Sequence, residues 1–424
     1  MINSLKRSAE ELFKRITWPR ADEEDWRRTD LTRLLPRGIL DSNANLTDEI
    51  QGGKGKIVDS LSLPEGYAGR IVSENGVVVG LYPSEPLTDA GFNLQWLAPG
   101  KFPETFRRMG EAELNESEER ITAWHYRDMP GCLVLELNGS FDKPVLVEEH
   151  LVSGDSGSVQ KALSSLPHLH IVATSNTRGG VIWSLEGIPE HDKSVTPIIN
   201  GGITASISPG ARLDVTLRQN LGTSIAAFLH GRFDVEEGAN LEFRESHFGA
   251  ALLKTRTRVS LGGRGANAQL NGVYVAGEGR HYDIGTIQEH RAAHTTSNAL
   301  YKGAVANRAI FQGLINVWPH AAKTDAYLTN NNLILSAGAR SDSLPKLNIL
   351  TDNVKCSHGS TTGRLDKDQI FYLGTRGYSP EQAVRELISG FLLEAFTNAP
   401  APARGMFECD INAVLSASGL WVDG

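Results

Sequence analysis

A glycine–alanine pair recurs along the middle of this chain at nearly constant spacing. Gly210-Ala211, Gly238-Ala239 and Gly265-Ala266 stand 28 and 27 residues apart. Each pair opens a segment in which apolar and polar residues alternate. A turn residue that recurs every ~20–50 residues is typical of solenoids, whose coils bury their inward side chains only by stacking on one another. The repeat therefore favours a fold in which the chain stacks coil upon coil.

The segments around this repeat have the composition of strands, with little helix signal between them. They comprise residues 132–137, 145–147, 169–174, 181–185, 213–217, 241–244, 257–261 and 268–275. Repeats made of strands alone predict a mainly β fold, a right-handed parallel β-helix. The alternative at this point is a β-sandwich, whose turns fall every ~8–12 residues.

Helical patterns flank the β-rich core. Leu5, Leu12 and Phe13 belong to an apolar stripe at helical spacing, which Trp18-Pro19 ends. Near the other end, Ser379-Pro380-Glu-Gln has the pattern of a capped helix start. We predict a mixed or helical N-terminal region at 1–130, a β-helix core at 131–375 and a helical region at 376–424.

The predicted C-terminal helix carries a wide apolar stripe. It contains Ala383, Val384, Leu387, Ile388, Phe391, Leu392, Ala395 and Phe396. This stripe exceeds what a short helix needs against its own domain. We therefore predict that part of it, at Leu387, Ile388, Phe391 and Leu392, binds a partner.

Charge and cysteine content narrow the class of protein. The chain of 424 residues has a formal net charge of −8, which argues against a nucleic-acid binder. No apolar run reaches the ~20 residues that span a bilayer, and residues 1–15 are too charged for a signal peptide. Three distant cysteines do not form a disulfide framework. We expect a cytoplasmic protein.

The standard catalytic signatures are absent from the sequence. Residues 52–56 are glycine-rich but lack the spacing of a phosphate-binding loop. There is no nucleophile elbow, no HExxH helix and no pair of CxxC motifs. The sequence therefore predicts a protein without a complete active site of its own.

Cys356 and His358 form the strongest local candidate for chemistry. If residues 353–359 are extended, both side chains lie on one strand face, since side chains alternate along a strand. A thiolate and an imidazole are both ligands for soft or borderline metal ions. Two ligands are too few for a closed site, so a second chain or a substrate sulfur must supply the rest. The alternative is a buried cysteine beside a hydrogen-bonded histidine.

Two other polar clusters invite a functional or a structural interpretation. The first is His290 and His294, with His281 and Asp283 upstream, which is either a metal site or a set of hydrogen-bonded turns. The second is residues 322–325 followed by three asparagines at 330–332. For those asparagines we expect a structural ladder at a turn.

Several short motifs in the second half of the chain resemble one known family. They are His290 with Thr295 and Ser297, Tyr301-Lys302-Gly303, Phe311-Gln312-Gly313, 323–326 (KTDA), 330–336 (NNNLILS), 355–359 (KCSHG) and 369–373 (QIFYL). In this order they resemble the SufB/SufD family of iron–sulfur cluster assembly proteins. Residues 355–359, together with 26–31 (WRRTDL), are similar to the SufD branch.

The resemblance implies a parallel β-helix with helical ends in a non-catalytic scaffold subunit. It implies a SufB-like partner, a SufC-like ATPase partner and a nascent, transient iron–sulfur cluster as cargo. It places an interface site at His358 with Cys356 beside it, and the ATPase contact from Ser379 onward. Alone, such a chain can form a homodimer; neither a membrane nor a nucleic acid is implied.

Two other classes of function remain open from the sequence. One is a secreted-type, carbohydrate-active β-helix enzyme, although no cluster of acidic residues typical of such enzymes stands out. The other is a stand-alone metal or redox carrier that uses Cys356.

Overall fold

The computed structural model describes residues 4–35, 62–82, 91–117, 119–152, 164–187 and 196–417. Its helices are α1 (Ser4–Arg15), α2 (Leu31–Leu34), α3 (Glu104–Ser117), α4 (Arg120–Asp128), α5 (Lys367–Thr375), α6 (Pro380–Leu393) and α7 (Ala401–Ala417). A 3-10 turn, Glu394–Phe396, follows α6. No helix in these ranges is both long and apolar enough to cross a bilayer.

Twenty strands make up the rest of the regular structure in the described ranges. The first ten are β1 (Gly69–Glu74), β2 (Val77–Tyr82), β3 (Phe92–Leu97), β4 (Cys132–Leu137), β5 (Val145–Leu151), β6 (Ser164–Ser165), β7 (His168–Ala173), β8 (Arg178–Gly187), β9 (Ile198–Ile207) and β10 (Arg212–Asn220). The others are β11 (Ala226–Val235), β12 (Asn240–His247), β13 (Leu252–Leu261), β14 (Asn267–Ala276), β15 (His281–His290), β16 (Thr296–Val305), β17 (Arg308–Val317), β18 (Asp325–Ile334), β19 (Arg340–Ile349) and β20 (Lys355–Arg364).

Successive strands alternate between two parallel sheets. From β8 onward the even-numbered strands form sheet A, which ends at β20, and the odd-numbered strands form sheet B, which ends at β19. Each pair of strands completes one coil, and the coils stack into a solenoid of about six turns. The predicted parallel β-helix with helices at both ends is confirmed. A β-sandwich is excluded because the neighbouring strands of these coils run parallel.

The glycine–alanine repeat marks the same turn in successive coils. Gly210, Gly238 and Gly265 have φ values of 71°, 62° and 73°, a left-handed conformation that glycine adopts without steric cost. The alanine after each glycine is buried. In the next two coils His294 and Lys323 take this position with φ values of 60° and 61°. The structural repeat therefore continues where the sequence repeat stops.

Helices cover the outer faces of both sheets. The N-terminal helices α1, α3 and α4 share an apolar cluster with Ile198, Phe228 and Leu252 of sheet B. The C-terminal helices α6 and α7 share another with Val273 and Val275 of sheet A. Before residue 131, β1 pairs in parallel with β5 and antiparallel with β2, and β3 pairs antiparallel with β4, so this region adds strands to both sheets.

Candidate functional site at the open end of the β-helix

The inward side chains of sheet A form stacks that run along the solenoid and end at β20. One stack consists of Leu213, Leu241, Ala268, Ser297, Ala326 and Cys356. The next consists of Val215, Phe243, Leu270, Ala299, Leu328 and His358. Cys356 and His358 thus share the inward face of the last strand, as their two-residue spacing predicted.

The last coil leaves this end of the core uncovered. Within the described residues β20 pairs only with β18, and β19 pairs only with β17. Leu347 and Ile349 continue the buried stacks of Ile315 and Val317, yet they are 39% and 38% exposed. His358 is exposed, whereas Leu328 before it in the stack is buried. An apolar core end, two free strand edges and two potential metal ligands therefore lie together.

The Cys356 thiol is held in its protonated form in the free chain. Its side chain is half-buried against the core, and this burial, with a smaller effect of the Asp325 carboxylate, raises the thiol pKa. A raised pKa makes a cysteine a poorer nucleophile and metal ligand, because the thiolate is the reactive form. Cys356 therefore needs a metal ion or a partner cation nearby before it can act.

His290 is an internal structural residue. Its Nδ1 lies 2.8 Å from Thr295 Oγ1 and its Nε2 lies 2.8 Å from Ser297 Oγ, so both ring nitrogens already have partners. His294 is an exposed turn residue. Asp283 accepts bonds from Lys254 and from Thr29 of the N-terminal segment. These contacts support the structural interpretation of this cluster.

The expected asparagine ladder at a turn is wrong. Asn330 and Asn332 lie on strand β18, where their side chains point into the core. Asn332 donates to Asn330 over 2.8 Å, Asn330 donates to the Tyr274 hydroxyl over 3.1 Å, and that hydroxyl donates back to Asn332 over 2.5 Å. The asparagines are buried here because a core tyrosine offers them partners.

The matched family agrees with this geometry. A family model described as the SufBD core domain of SUF-system iron–sulfur cluster assembly matches residues 156–391. The chain belongs to the SufBD family. The matched residues include most of the solenoid and the open end with Cys356 and His358.

Curated SufBD relatives are similar over a shorter stretch. The iron–sulfur cluster assembly protein SufD of Escherichia coli K12 is 38% identical over 169 residues, which is 39% of this chain and 40% of that protein. A SufBD family protein of Mycobacterium leprae is 37% identical over 164 residues, which is 36% of this chain and 42% of that protein. These alignments thus span about two fifths of the length of each relative.

The residues predicted to bind a partner on α6 divide into two pairs. Ile388 and Leu392 are buried in the apolar cluster beneath α6, whereas Leu387 and Phe391 are half-buried. The ammonium group of Lys302 lies 4.4 Å from the centre of the Phe391 ring. Of these four residues, only Leu387 and Phe391 are partly accessible to a partner, which is fewer than the sequence pattern indicated.

The structure also brings out two groups to which the sequence patterns assigned no functional role. Helix α5 has no buried residue, and its Phe371 and Tyr372 are 74% and 55% exposed. The run 370–373 (IFYL) gave a signal for this, since a short helix cannot bury apolar residues on every side. The other group is three buried histidines, His125, His168 and His230, which the fold assembles from distant parts of the chain.

Proposed function

We propose that this SufBD chain is a non-catalytic scaffold subunit of a SufB–SufC–SufD-type complex in the cytoplasm. It pairs with a SufB-like subunit, carries a SufC-like ATPase and helps to assemble nascent iron–sulfur clusters for transfer to apo-proteins. The uncovered end of the β-helix core carries this proposal. Family membership supplies the chemistry of the cargo.

The open end has the properties of a surface that pairs with another solenoid. Its inward positions are apolar and in register with the buried core, so a second coil end can continue the stacks. Its free strand edges present unpaired backbone groups, which natural proteins cover when they are this regular. In the absence of the SufB-like subunit, the same end is the surface through which two copies of this chain would form a homodimer.

The pairing also completes the site at Cys356 and His358. Two side chains leave a metal ion unsaturated, and ligands from the partner chain or from the cargo's sulfide fill the remaining positions. His358 is exposed on the face that the partner covers, so its imidazole is free to bind iron. Bound iron also favours the Cys356 thiolate, against the effect of burial.

The surface of α5 and α6 is the proposed contact with the SufC-like ATPase. Leu387 and Phe391 are half-buried on α6, with Phe391 packed against the apolar cluster beneath the helix, and α6 contacts α5, whose Phe371 and Tyr372 are exposed. Ile388 and Leu392 act indirectly, because they anchor α6 to sheet A. Aromatic side chains are favoured as interface anchors for their large contact area.

Co-expression with the SufB-like and SufC-like proteins of the same genome tests the proposal. We expect native mass measurement to detect a complex that contains all three chains. Ile349→Asp places a charge in the uncovered core end and should abolish pairing with the SufB-like chain. Tyr82→Asp, a substitution of an exposed residue on β2 at the other end of sheet A, is the matched control and should leave the complex intact.

The two other functions give different results in the same experiment. A stand-alone carrier stays monomeric with both partners present, and so does a carbohydrate-active enzyme. A complex that survives Ile349→Asp unchanged would show that the chains pair through another surface.

A further inference from the structure

Away from the open end with Cys356 and His358, three histidine side chains lie close together between sheet B and the N-terminal helices. His125 comes from α4, His168 from β7 and His230 from β11, and all three are buried. One nitrogen from each ring lies within 4.8 Å of the others. Neither the family match nor the open end of the core accounts for this grouping.

The sheet register explains why two of these rings meet. His168, Gly202 and His230 are direct neighbours on three adjacent strands, with the glycine in the middle. A Cβ atom at Gly202 would lie 2.4 Å from His168 Nδ1 and 2.5 Å from His230 Nε2. Both nitrogen atoms therefore border the space above Gly202, one from each neighbouring strand. The space above the glycine is closed by α4, which brings in His125.

Hydrogen bonds hold two of the rings in the orientation of metal ligands. His125 Nδ1 lies 2.7 Å from the backbone oxygen of Asn200, which can only accept, so this nitrogen carries the proton and Nε2 presents a lone pair. His168 Nε2 lies 3.1 Å from Thr204 Oγ1. Metal-binding histidines commonly donate their second nitrogen to such a carbonyl or hydroxyl group, which fixes the ring.

The third ring has an unsatisfied nitrogen. His230 Nε2 is buried and has no hydrogen-bond partner among the described residues. Buried polar atoms are nearly always paired, so an unpaired one calls for a physical explanation. His125 Nε2 and His168 Nδ1 lie 2.8 Å apart and share one hydrogen bond. A cation over Gly202 would replace that single bond with three nitrogen–metal bonds and would satisfy His230.

We propose that His125 Nε2, His168 Nδ1 and His230 Nε2 bind one divalent first-row transition-metal ion, Zn²⁺ or Fe²⁺. Imidazole nitrogen is a good ligand for both ions. Three histidines with one open position form a known type of zinc site. A cavity of about 30 Å³ adjoins His230, with room for a water molecule as the fourth ligand.

The protonation and charge of the surroundings are compatible with a cation. Burial lowers the pKa of His230 to about 3 and the pKa values of His125 and His168 well below the usual value, so all three rings are neutral. Binding requires the His168 proton to move from Nδ1 to Nε2, where the Thr204 hydroxyl accepts it in a hydrogen bond. No proton is lost in this exchange of tautomers.

The basic side chains that line the adjoining cavity are all paired with carboxylates. Lys254 lies 2.8 Å from Asp283. The other pairs are Arg232 with Glu116 at 2.7 Å, Arg258 with Glu116 at 3.0 Å and Arg256 with Asp25 at 3.2 Å. These carboxylates offset the positive charge that would otherwise repel a metal ion.

The test uses the full chain with Zn²⁺, Fe²⁺ under anaerobic conditions, and Co²⁺ as a spectroscopic probe. We expect one ion per chain at this site, and a higher unfolding temperature with Zn²⁺ than after chelation. X-ray absorption of the zinc-loaded chain should show nitrogen ligands at about 2.0–2.1 Å. Sulfur ligands at about 2.3 Å would instead place the ion at Cys356 and would contradict the proposal.

Variants separate the site from the fold. His230→Asn removes a ligand, and Gly202→Ala fills the metal position while all three histidines remain. Each variant should weaken metal binding by at least about tenfold. That is the lower end of the loss in metal affinity seen when a hydrogen-bond partner of a metal ligand is removed. His290→Asn, a buried histidine elsewhere in sheet B, and His320→Asn, an exposed one, should leave metal binding unchanged.

The outcomes decide the proposal even when a variant is unstable. Far-UV circular dichroism checks each variant, and the X-ray absorption of the wild-type chain needs no variant at all. The preference between Zn²⁺ and Fe²⁺ follows from competition between the two ions on the wild-type chain. A wild-type chain that binds neither ion, or binding that survives both His230→Asn and Gly202→Ala, would overturn the assignment.

Discussion

The two histidine-bearing regions of this molecule differ in what covers them. The three-histidine group lies between sheet B and α4, and its nitrogens face one another within a single chain. Cys356 and His358 stand at the ends of two inward stacks, where no described element covers them. The first region is complete within the chain, whereas the second has only two potential ligands.

Position in the solenoid, and not local sequence, produces this difference. Phe243 and His358 occupy the same stack, yet Phe243 is fully buried and His358 is exposed. Each coil covers its predecessor, and in the described part of the chain the last coil has no successor. A functional group in the last coil is therefore available to another subunit, although the pattern of its strand is that of a core strand.

The largest expected effect is the loss of iron from the assembled complex when His358, at the uncovered end of the core, is replaced. We expect His358→Ala to abolish cluster formation in cells while the complex with both partners still assembles, because an exposed imidazole contributes little to folding. The measurement is iron and acid-labile sulfide per purified complex, with complex yield from the same preparation.

Cys356→Ser is the comparison for that variant, and we expect a milder loss of cluster. Burial raises the pKa of the Cys356 thiol, and among the described residues no basic side chain lowers it. Normal yield with normal iron in His358→Ala would exclude His358 as a required ligand. Low yield with proportionate iron would instead indicate a structural role.

The next effect is on the stability of matched positions in adjacent coils. Ile315 and Leu347 are neighbours in one stack, the first fully buried and the second 39% exposed. Ile315→Ala should lower the free energy of unfolding by about 2–5 kcal/mol, since it leaves a cavity. Leu347→Ala should cost less than about 1 kcal/mol in the isolated chain.

The same two variants provide a second test when the SufB-like subunit is present. Leu347→Ala should then weaken the complex, because the partner buries this side chain. Denaturant titrations of the chain and dissociation constants of the complex provide the two measurements. Equal stability losses for both variants in the isolated chain would mean that the last coil is covered after all.

The glycine–alanine spacing contained more of the fold than it revealed. It predicted the coil length, whereas the shared face of Cys356 and His358 was predicted separately from their two-residue spacing along a strand. It stopped after three copies because His294 and Lys323 adopt the left-handed turn conformation without glycine. A search for the coil period alone, without the glycine, would have extended the repeat.

The three-histidine group could not be predicted from spacing. His125, His168 and His230 lie on a helix and two strands that only the sheet register and the packing of α4 bring together. The buried hydroxyl of Tyr274 likewise provides a partner for Asn330, which sequence patterns place in a turn. Long-range packing determined these sites, and a local pattern contains no information about it.

A third effect concerns the ATPase contact on the outer surface. Phe371→Asp should weaken binding of the SufC-like ATPase by at least about 2 kcal/mol, or roughly 30-fold, as for an aromatic interface anchor. The fold should remain intact, because this ring is 74% exposed. Titration calorimetry with the purified ATPase measures the change, and Leu387→Asp should behave in the same way.

The control for the ATPase contact is Tyr82→Asp, which lies on the far end of sheet A and should bind normally. If Phe371→Asp and Leu387→Asp both bind with wild-type affinity, α5 and α6 do not form the contact surface.

The smallest expected effect is on the pH dependence of stability, and it arises from the enclosed histidine His290. Burial lowers the pKa of His290 to about 4, below the ordinary value of 6.5. The unfolded chain therefore binds a proton in this range that the folded chain does not, and stability falls as the pH drops from about 6.5 towards 4. Between pH 6.5 and 5.5 one such group contributes a loss of about 1 kcal/mol.

His290→Asn removes this contribution, so its stability should change less with pH over the same interval, although it is less stable than the wild type at pH 7. Ser297→Ala is the matched control, because it deletes one hydrogen bond of the ring and keeps the histidine. Urea unfolding at pH 7.0, 6.5, 6.0 and 5.5 (values about half a unit apart) gives, for each variant, the slope of the unfolding free energy with pH.

His290 is enclosed on both sides by its own chain, so the pH dependence that it contributes should persist when the SufB-like partner is added. Parallel slopes for His290→Asn and the wild type would mean that the ring binds protons equally in the folded and unfolded chains, and that burial does not lower its pKa.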